Sequence, residues 1–383
     1  MTRKSSSGAP QRSLVRRLAV AVAWIAGGLA ALAVLWLLSN ALLRTPDPPP
    51  LFQESDLPAL PPEQDNGWVS FQAQARRGPA TCSKELHDLL DPSIQGSASR
   101  WQSARDQRGS IVEYVSDARQ VPWIRLLEDA MAKPFFADAC PIDPGTECAI
   151  MVLYRTHDVL ALDVLARGLG GDWKGALSSS ARMLRADASY LASTRELVAQ
   201  MVALSIAHRS MVLIDVLLDG YEESLTAPEA ASLDRGALEE IAQAAEGIRL
   251  ERIDLKRSVV AHYVWWWRAI RDLSDGRLEG GRLTDKVERL LLDRGQTLVA
   301  LNEQTVPLAA YAANPSGPEP PERPLAASGA FWWLHNPTGK RLLDGLASWQ
   351  VRRIRDTAKR RSDLLSAAEA LTRRCGTMLE VRR

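Results

Sequence analysis

Residues 191–220 read LASTRELVAQMVALSIAHRSMVLIDVLLDG. Between Leu197 and Leu218 apolar side chains fall on nearly every face of a helical turn, and such a helix either spans a membrane or forms the centre of a bundle. Gln200, His208, Arg209 and Asp215 decide between the two. An Arg or Asp near a bilayer centre costs about 2.5–3.5 kcal/mol on insertion scales, so the stretch predicts a buried core helix. The fold expected around it is all-α. His208 and Asp215 are separated by about 10.5 Å along the helix axis, too far to pair with each other.

Outward from this helix, period-two alternation is scarce and helical spacing common. Helices are expected near residues 66–77, 83–90, 98–118, 122–133, 149–170, 172–187, 189–219, 228–246, 248–274, 283–312 and 338–374, broken at Gly, Pro or Asp-Gly. Ser83 suits an N-cap and Pro122 the first position of a helix. Within residues 149–187 an apolar helix runs into Gly170-Gly171-Asp172 and then WKGALSSSARMLRADAS. Gly171, Asp172, Ala176 and Leu177 make a pattern similar to the turn and second helix of a tetratricopeptide-like hairpin. The resemblance implies a pair of antiparallel helices and no ligand. No second copy follows at the period of a regular solenoid.

In residues 258–272, SVVAHYVWWWRAIRD, three tryptophans stand side by side. At about 100° per residue, Trp266 and Trp267 join Leu255, Val259, Val260, Tyr263, Val264 and Ile270 on an apolar face. Trp265 falls on the other side with Ala261, His262 and Arg268. Three readings stay open for it: cover by another helix of the same chain, a binding anchor with Arg268, or contact with lipid headgroups.

The N-terminal 44 residues contain Arg3, Lys4, Arg12, Arg16, Arg17 and Arg44 and no acid. Residues 18–43 carry no charge, and at 1.5 Å each they reach about 39 Å, enough to cross the roughly 30 Å hydrocarbon core. A cleaved signal peptide should have an apolar region of about 7–15 residues ending in small residues, and this segment fits neither condition. The expectation is a single-pass signal anchor with residues 1–17 as a basic cytoplasmic tail. Seven prolines in residues 44–65 then predict a stiff extended stalk. Residues 66–383 remain for one all-α domain on the far side, the periplasm of a bacterial cell.

All four cysteines lie beyond the anchor. Cys140 and Cys148 flank PIDPGTE, whose prolines and glycine turn the chain back, so this pair is expected to form a disulfide. Cys82 with Cys375 is the leftover pairing. No metal site is expected, since no C-x-x-C occurs and His87 alone among the histidines lies within five residues of a cysteine.

Motifs for chemistry are absent. Gly339-Lys340 lacks the upstream glycine and following Ser or Thr of a phosphate loop, and no H-E-x-x-H, G-x-S-x-G or S-x-x-K occurs. No catalytic residue and no cofactor is assigned. Glu196, His208, Arg209, Asp215 and His262 are the polar groups that a hydrolase or lyase would have to gather in a pocket between helices. Arg352, Arg355 and Lys359 form a basic stripe along one helical face, either solvated or turned toward anionic headgroups, glycan or an acidic partner. Trp332 and Trp333 lie in FWWLHNPTGK, residues 331–340, a tract read as aromatics ahead of a turn and helix start. This tract, with the anchor and stalk, resembles membrane-anchored helical envelope proteins of Gram-negative bacteria, a group that implies location and fold but no activity. The functional expectation is an interaction or scaffolding module at the inner membrane with an envelope protein as partner and no nucleic acid. Its candidate contacts are Trp265, Arg268, Trp332, Trp333, Arg352, Arg355 and Lys359.

Overall fold

The computed structural model describes residues 9–75, 77–91, 97–144, 146, 148–224, 235–248, 253–277, 283–320 and 336–380. Among them are fourteen α-helices and no strand; the one β-type pairing is an isolated bridge between Asn66 and Phe135. In chain order the helices are α1 (Ala9–Leu42), α2 (Gly67–Gln74), α3 (Lys84–Asp88), α4 (Ser97–Asp106), α5 (Arg108–Ser116), α6 (Val121–Met131) and α7 (Ile150–Leu169). They continue with α8 (Trp173–Ser193), α9 (Leu197–Ser224), α10 (Arg235–Glu246), α11 (Leu255–Asp275), α12 (Leu283–Leu290), α13 (Arg294–Ala313) and α14 (Pro337–Glu380).

The chain divides into two compact units, one of Met1–Leu51, Trp267–Gln304 and Pro321–Ser348, the other of Phe52–Trp266, Thr305–Pro320 and Trp349–Arg383. Three borders between the units fall inside α11, α13 and α14, where a helical pattern runs on without a break.

In the larger unit α9 is the centre, packed by α4, α7 and α8. Of its apolar stretch 78% is buried, as its length and internal charges require of a core helix. The α7–α8 hairpin turns at Gly171, whose φ of +87° favours glycine, and Asp172 caps α8 by accepting from Gly175 N at 2.9 Å. Glycines set the close approaches to α9: a Cβ on Gly168 would meet Leu217 at 2.6 Å, and one on Gly220 would meet the Trp101 indole at 2.4 Å. Trp68, Phe71, Phe136 and Tyr190 fill one end of this core, with Trp68 and Tyr190 centroids 5.2 Å apart. Leu364, Ala368, Leu371 and Cys375 bring one face of α14 into the same core.

Cys140 and Cys148 are joined as expected, with Cα atoms 6.0 Å apart. Cys82 and Cys375 are free thiols, half-buried and buried, so the leftover pairing does not form. Residues 52–62 do not stand off as a stalk. Leu57 is buried, and the Arg195 guanidinium donates to Pro58 O at 2.8 Å and lies 3.6 Å from Glu54. An extended proline segment offers unpaired carbonyls, and here a buried arginine takes one of them.

In the smaller unit α1 leaves its apolar side chains exposed, Trp24 and Leu42 among them. The chain leaving α1 is tied at once: Thr45 donates from N and Oγ1 to the Asp293 carboxylate. The Asn-Pro-Thr-Gly turn completes a node there. Asn336 Oδ1 accepts from Gly339 N at 3.1 Å and from Asp293 N at 3.0 Å, while its Nδ2 donates to Thr297 Oγ1 at 2.8 Å. A buried Asn thus caps α14 and fastens it to the start of α13.

Candidate functional site

Among the described residues, the larger unit has a groove and a separate polar cavity. The first is a groove of about 720 Å³ under residues 58–62. Its floor is one face of α8, where Ala181, Ala188, Ser189 and Ala192 recur at helical spacing, and one wall is Ala244 of α10 with Gly247 just beyond that helix. Small side chains at those positions leave the space open. The opposite wall, Phe135 and Ala137, is held by α8 itself: Ser193 Oγ accepts from Asp138 N at 2.9 Å, and Ser189 Oγ from Phe136 N at 3.4 Å. Asp138 in turn accepts from Cys140 N and Arg195 N, so one buried carboxylate aligns the disulfide loop with α9. Burial raises the Asp138 pKa, against the pull of those two donors. Exposed Arg185 and Glu240 stand at the rim.

The second site is a polar cavity of about 400 Å³ lined by His87, Asp91, Tyr154, Ser205, His208, Arg209, Arg360 and Asp363. At its inner end Arg209, on α9, forms a buried ion pair with Asp158 of α7 and donates to His87 Nε2 at 2.8 Å, its guanidinium 4.6 Å over the Tyr154 ring. A guanidinium has no lone pair to offer, so His87 Nε2 accepts and the ring proton sits on Nδ1, 3.4 Å from Asp158 Oδ2. Burial and then Asp158 push the neighbouring Cys82 thiol up to about 11, which keeps it protonated in this geometry. Burial lowers the His208 pKa, with Asp363 opposing and Arg100 adding to the effect.

His157, Asp187 and Ser210 have the composition of a catalytic triad, but Ser210 Oγ donates to Asp187 Oδ2 at 2.6 Å and all three are buried. His157 Nε2 lies 3.1 Å from both partners. The hydroxyl gives its hydrogen to the carboxylate and no substrate reaches it, so the network fixes helix register.

The polar groups singled out in the sequence do not converge. Asp215 pairs with Arg374 at 3.4 Å, Glu196 lies toward Asp138, and the cavity takes His208 and Arg209. His262 belongs to an aromatic stack, 5.8 Å from Trp349 and 6.4 Å from Trp265. Trp265, Trp266 and Trp267 are all half-buried, the latter two less enclosed than a core face implies. Trp266 Nε1 donates to His262 Nε2 at 2.8 Å, and burial lowers that imidazole to about 4. Arg268 is half-buried; Arg352, Arg355 and Lys359 lie on the exposed side of α14, with Arg355 paired to Glu319. Trp332 and Trp333 lie outside the described residues.

The groove, and the approach of Cys82 to Asp158, were missed. The groove's signal was the run of Ala and Ser on one face of 181–192; the other's was Cys82-x4-His87, which needed Asp158 from a distant helix to mean anything. No protein-family model matches the chain, no curated protein matches it, and no solved structure matches it.

Proposed function

We propose that this chain is a single-pass inner-membrane protein, N-terminus in the cytoplasm, whose periplasmic helical body binds an extended peptide segment of an envelope partner. The observation that carries the reading is the groove under residues 58–62. Its 720 Å³ falls within the range of ligand-binding clefts, and its small, largely apolar lining suits main chain lying close to α8. Arg185 and Glu240 at the rim offer a donor and an acceptor to a partner's polar groups. The location rests on the exposed apolar stretch of α1, the basic residues that precede that stretch, and a disulfide suited to an oxidising compartment. The basic stripe of Arg352, Arg355 and Lys359, with Trp265 and Arg268, is a secondary contact surface in this reading.

Photocrosslinking tests it. A photoreactive side chain replacing Gln243, at the groove edge, should give one discrete adduct in intact cells, and the same group at exposed Met151 should give none. Adding Ala188→Trp, which fills the groove, should abolish the adduct without changing the unfolding midpoint. Equal adducts at both positions, or an adduct indifferent to Ala188→Trp, removes the groove from the function.

The alternative, a hydrolase or lyase, draws on the polar cavity, where His87, His208, Arg209 and Asp363 line one space. A small-molecule turnover lost in His208→Ala and untouched by Ala188→Trp would favour it.

A further inference from the structure

Three side chains with metal-binding atoms meet beside the polar cavity. Cys82 Sγ, a His87 ring nitrogen and an Asp158 carboxylate oxygen all lie within 4.8 Å of one another. Cys82 directly precedes Ser83, the N-cap of α3, and His87 lies in the last turn of that helix. One short element therefore presents both, and α7 brings Asp158 to them. We propose that Cys82, His87 and Asp158 form a Zn²⁺ site with its fourth position open to the 400 Å³ cavity.

The donor set argues for the metal. A thiolate, an imidazole and a carboxylate suit a borderline-soft tetrahedral cation, whereas calcium and magnesium take oxygen donors. Three protein ligands with one open position is the arrangement of reactive zinc centres and not of closed structural ones. His87 lines the cavity and its side chain is 34% exposed, which gives an entry path.

Arg209 is the element that metal binding must displace. It donates to His87 Nε2 now, and a ring that takes a metal on either nitrogen cannot keep that bond: Nε2 is then either metal-bound or protonated. Arg209 lines the cavity, so its guanidinium has room to leave the ring while keeping Asp158 Oδ1 as partner, an outer-shell role typical of metal sites. As the Zn–S bond forms, the Cys82 thiol proton passes to solvent; nothing is oxidised or reduced. The apparent affinity is set against release of that proton and loss of the Arg209–His87 hydrogen bond.

The test uses the full chain in detergent micelles, stripped of metal and titrated with Co²⁺ alone. One Co²⁺ per chain is expected, with a thiolate-to-cobalt charge-transfer band, visible bands of tetrahedral intensity, and displacement of both by Zn²⁺. Cys82→Ser should erase the charge-transfer band and weaken binding by at least ~100-fold, the upper end of the effect of outer-shell changes alone. Cys375→Ser should leave both unchanged. Asp158→Asn risks unfolding a chain whose buried Arg209 loses its partner, so His87→Gln supplies the second arm and should weaken binding with helical circular dichroism intact. A wild type without the band, a band that survives Cys82→Ser, or one removed by Cys375→Ser overturns the proposal.

Discussion

At Asn336 one amide makes four hydrogen bonds, the fourth from Nδ2 to Asp293 O at 3.2 Å, and the cost of removing it follows from what is left behind. Asn336→Ala uncaps Gly339 N and takes the side-chain acceptor from the buried Asp293 N, while Thr297 Oγ1 keeps its bond to Asp293 O. Loss of a cap costs about 1 kcal/mol and an unsatisfied buried group about 1–3 kcal/mol, so urea unfolding should show a loss of about 2–4 kcal/mol. A loss under 0.5 kcal/mol would show the node to be ornamental. His262 makes a second residue-level case, with sign set by its lowered pKa. Folded, the imidazole titrates at about 4, below its ordinary value near 6.5, so between those pH values the unfolded chain holds the extra proton. Stability is then lost as pH falls from about 6.5 to 4 and levels off below, by up to about 3 kcal/mol. His262→Gln should flatten that part of the difference curve; parallel curves for both proteins would mean the ring is not held neutral by the fold. The sequence marked both residues, Asn336 as a turn and His262 beside the tryptophans. It could not show their partners, because Asp293, Thr297 and Trp349 lie far away along the chain.

Helix approach is decided by glycine, and here two effects of opposite sign can be weighed. Gly220→Ala gains about 1 kcal/mol of helix propensity, but its Cβ would stand 2.4 Å from the Trp101 indole. That indole already packs on Trp173 at 5.5 Å and donates to Glu223, so it cannot retreat, and overpacking of about 1–3 kcal/mol should win. Gly109 in α5 is the control: nothing lies within 4 Å of an added Cβ, so Gly109→Ala should stabilise by up to about 1 kcal/mol. If both variants shift the unfolding midpoint the same way, the α4–α9 approach is looser than described. Elements were the legible scale. The core helix, the α7–α8 hairpin and the Cys140–Cys148 bridge follow from apolar periodicity, a Gly-Gly-Asp turn and a proline-rich loop. Two expected helices proved split, 98–118 into α4 and α5 and 283–312 into α12 and α13, since an apolar pattern continues through a short break. The groove stayed hidden for a different reason. It is defined by what small residues on α8 do not fill, and an empty volume has no residue of its own.

For the whole molecule, the proposed anchor and the proposed binding groove make a joint prediction that neither makes alone. A binding site tethered to a membrane meets a co-anchored partner as an intramolecular event, and such linkage raises apparent affinity by about 10²–10⁴ without a new contact. Removing residues 1–43 should therefore release the chain into the soluble fraction, because α1 contributes the exposed apolar helix while the apolar stretch of α9 is largely buried. The groove lies in a unit that begins at Phe52, and its lining residues are untouched by the deletion. Crosslinking to an envelope partner from Gln243 should then fall by at least 10-fold at equal cellular amounts of protein, an order below the least effect of lost tethering. It should recover when the truncated chain is fused to an unrelated membrane helix. Recovery separates proximity from recognition: if the foreign helix fails to restore the adduct, α1 itself contacts the partner within the bilayer. If truncation changes nothing, the partner is soluble and the anchor serves location alone.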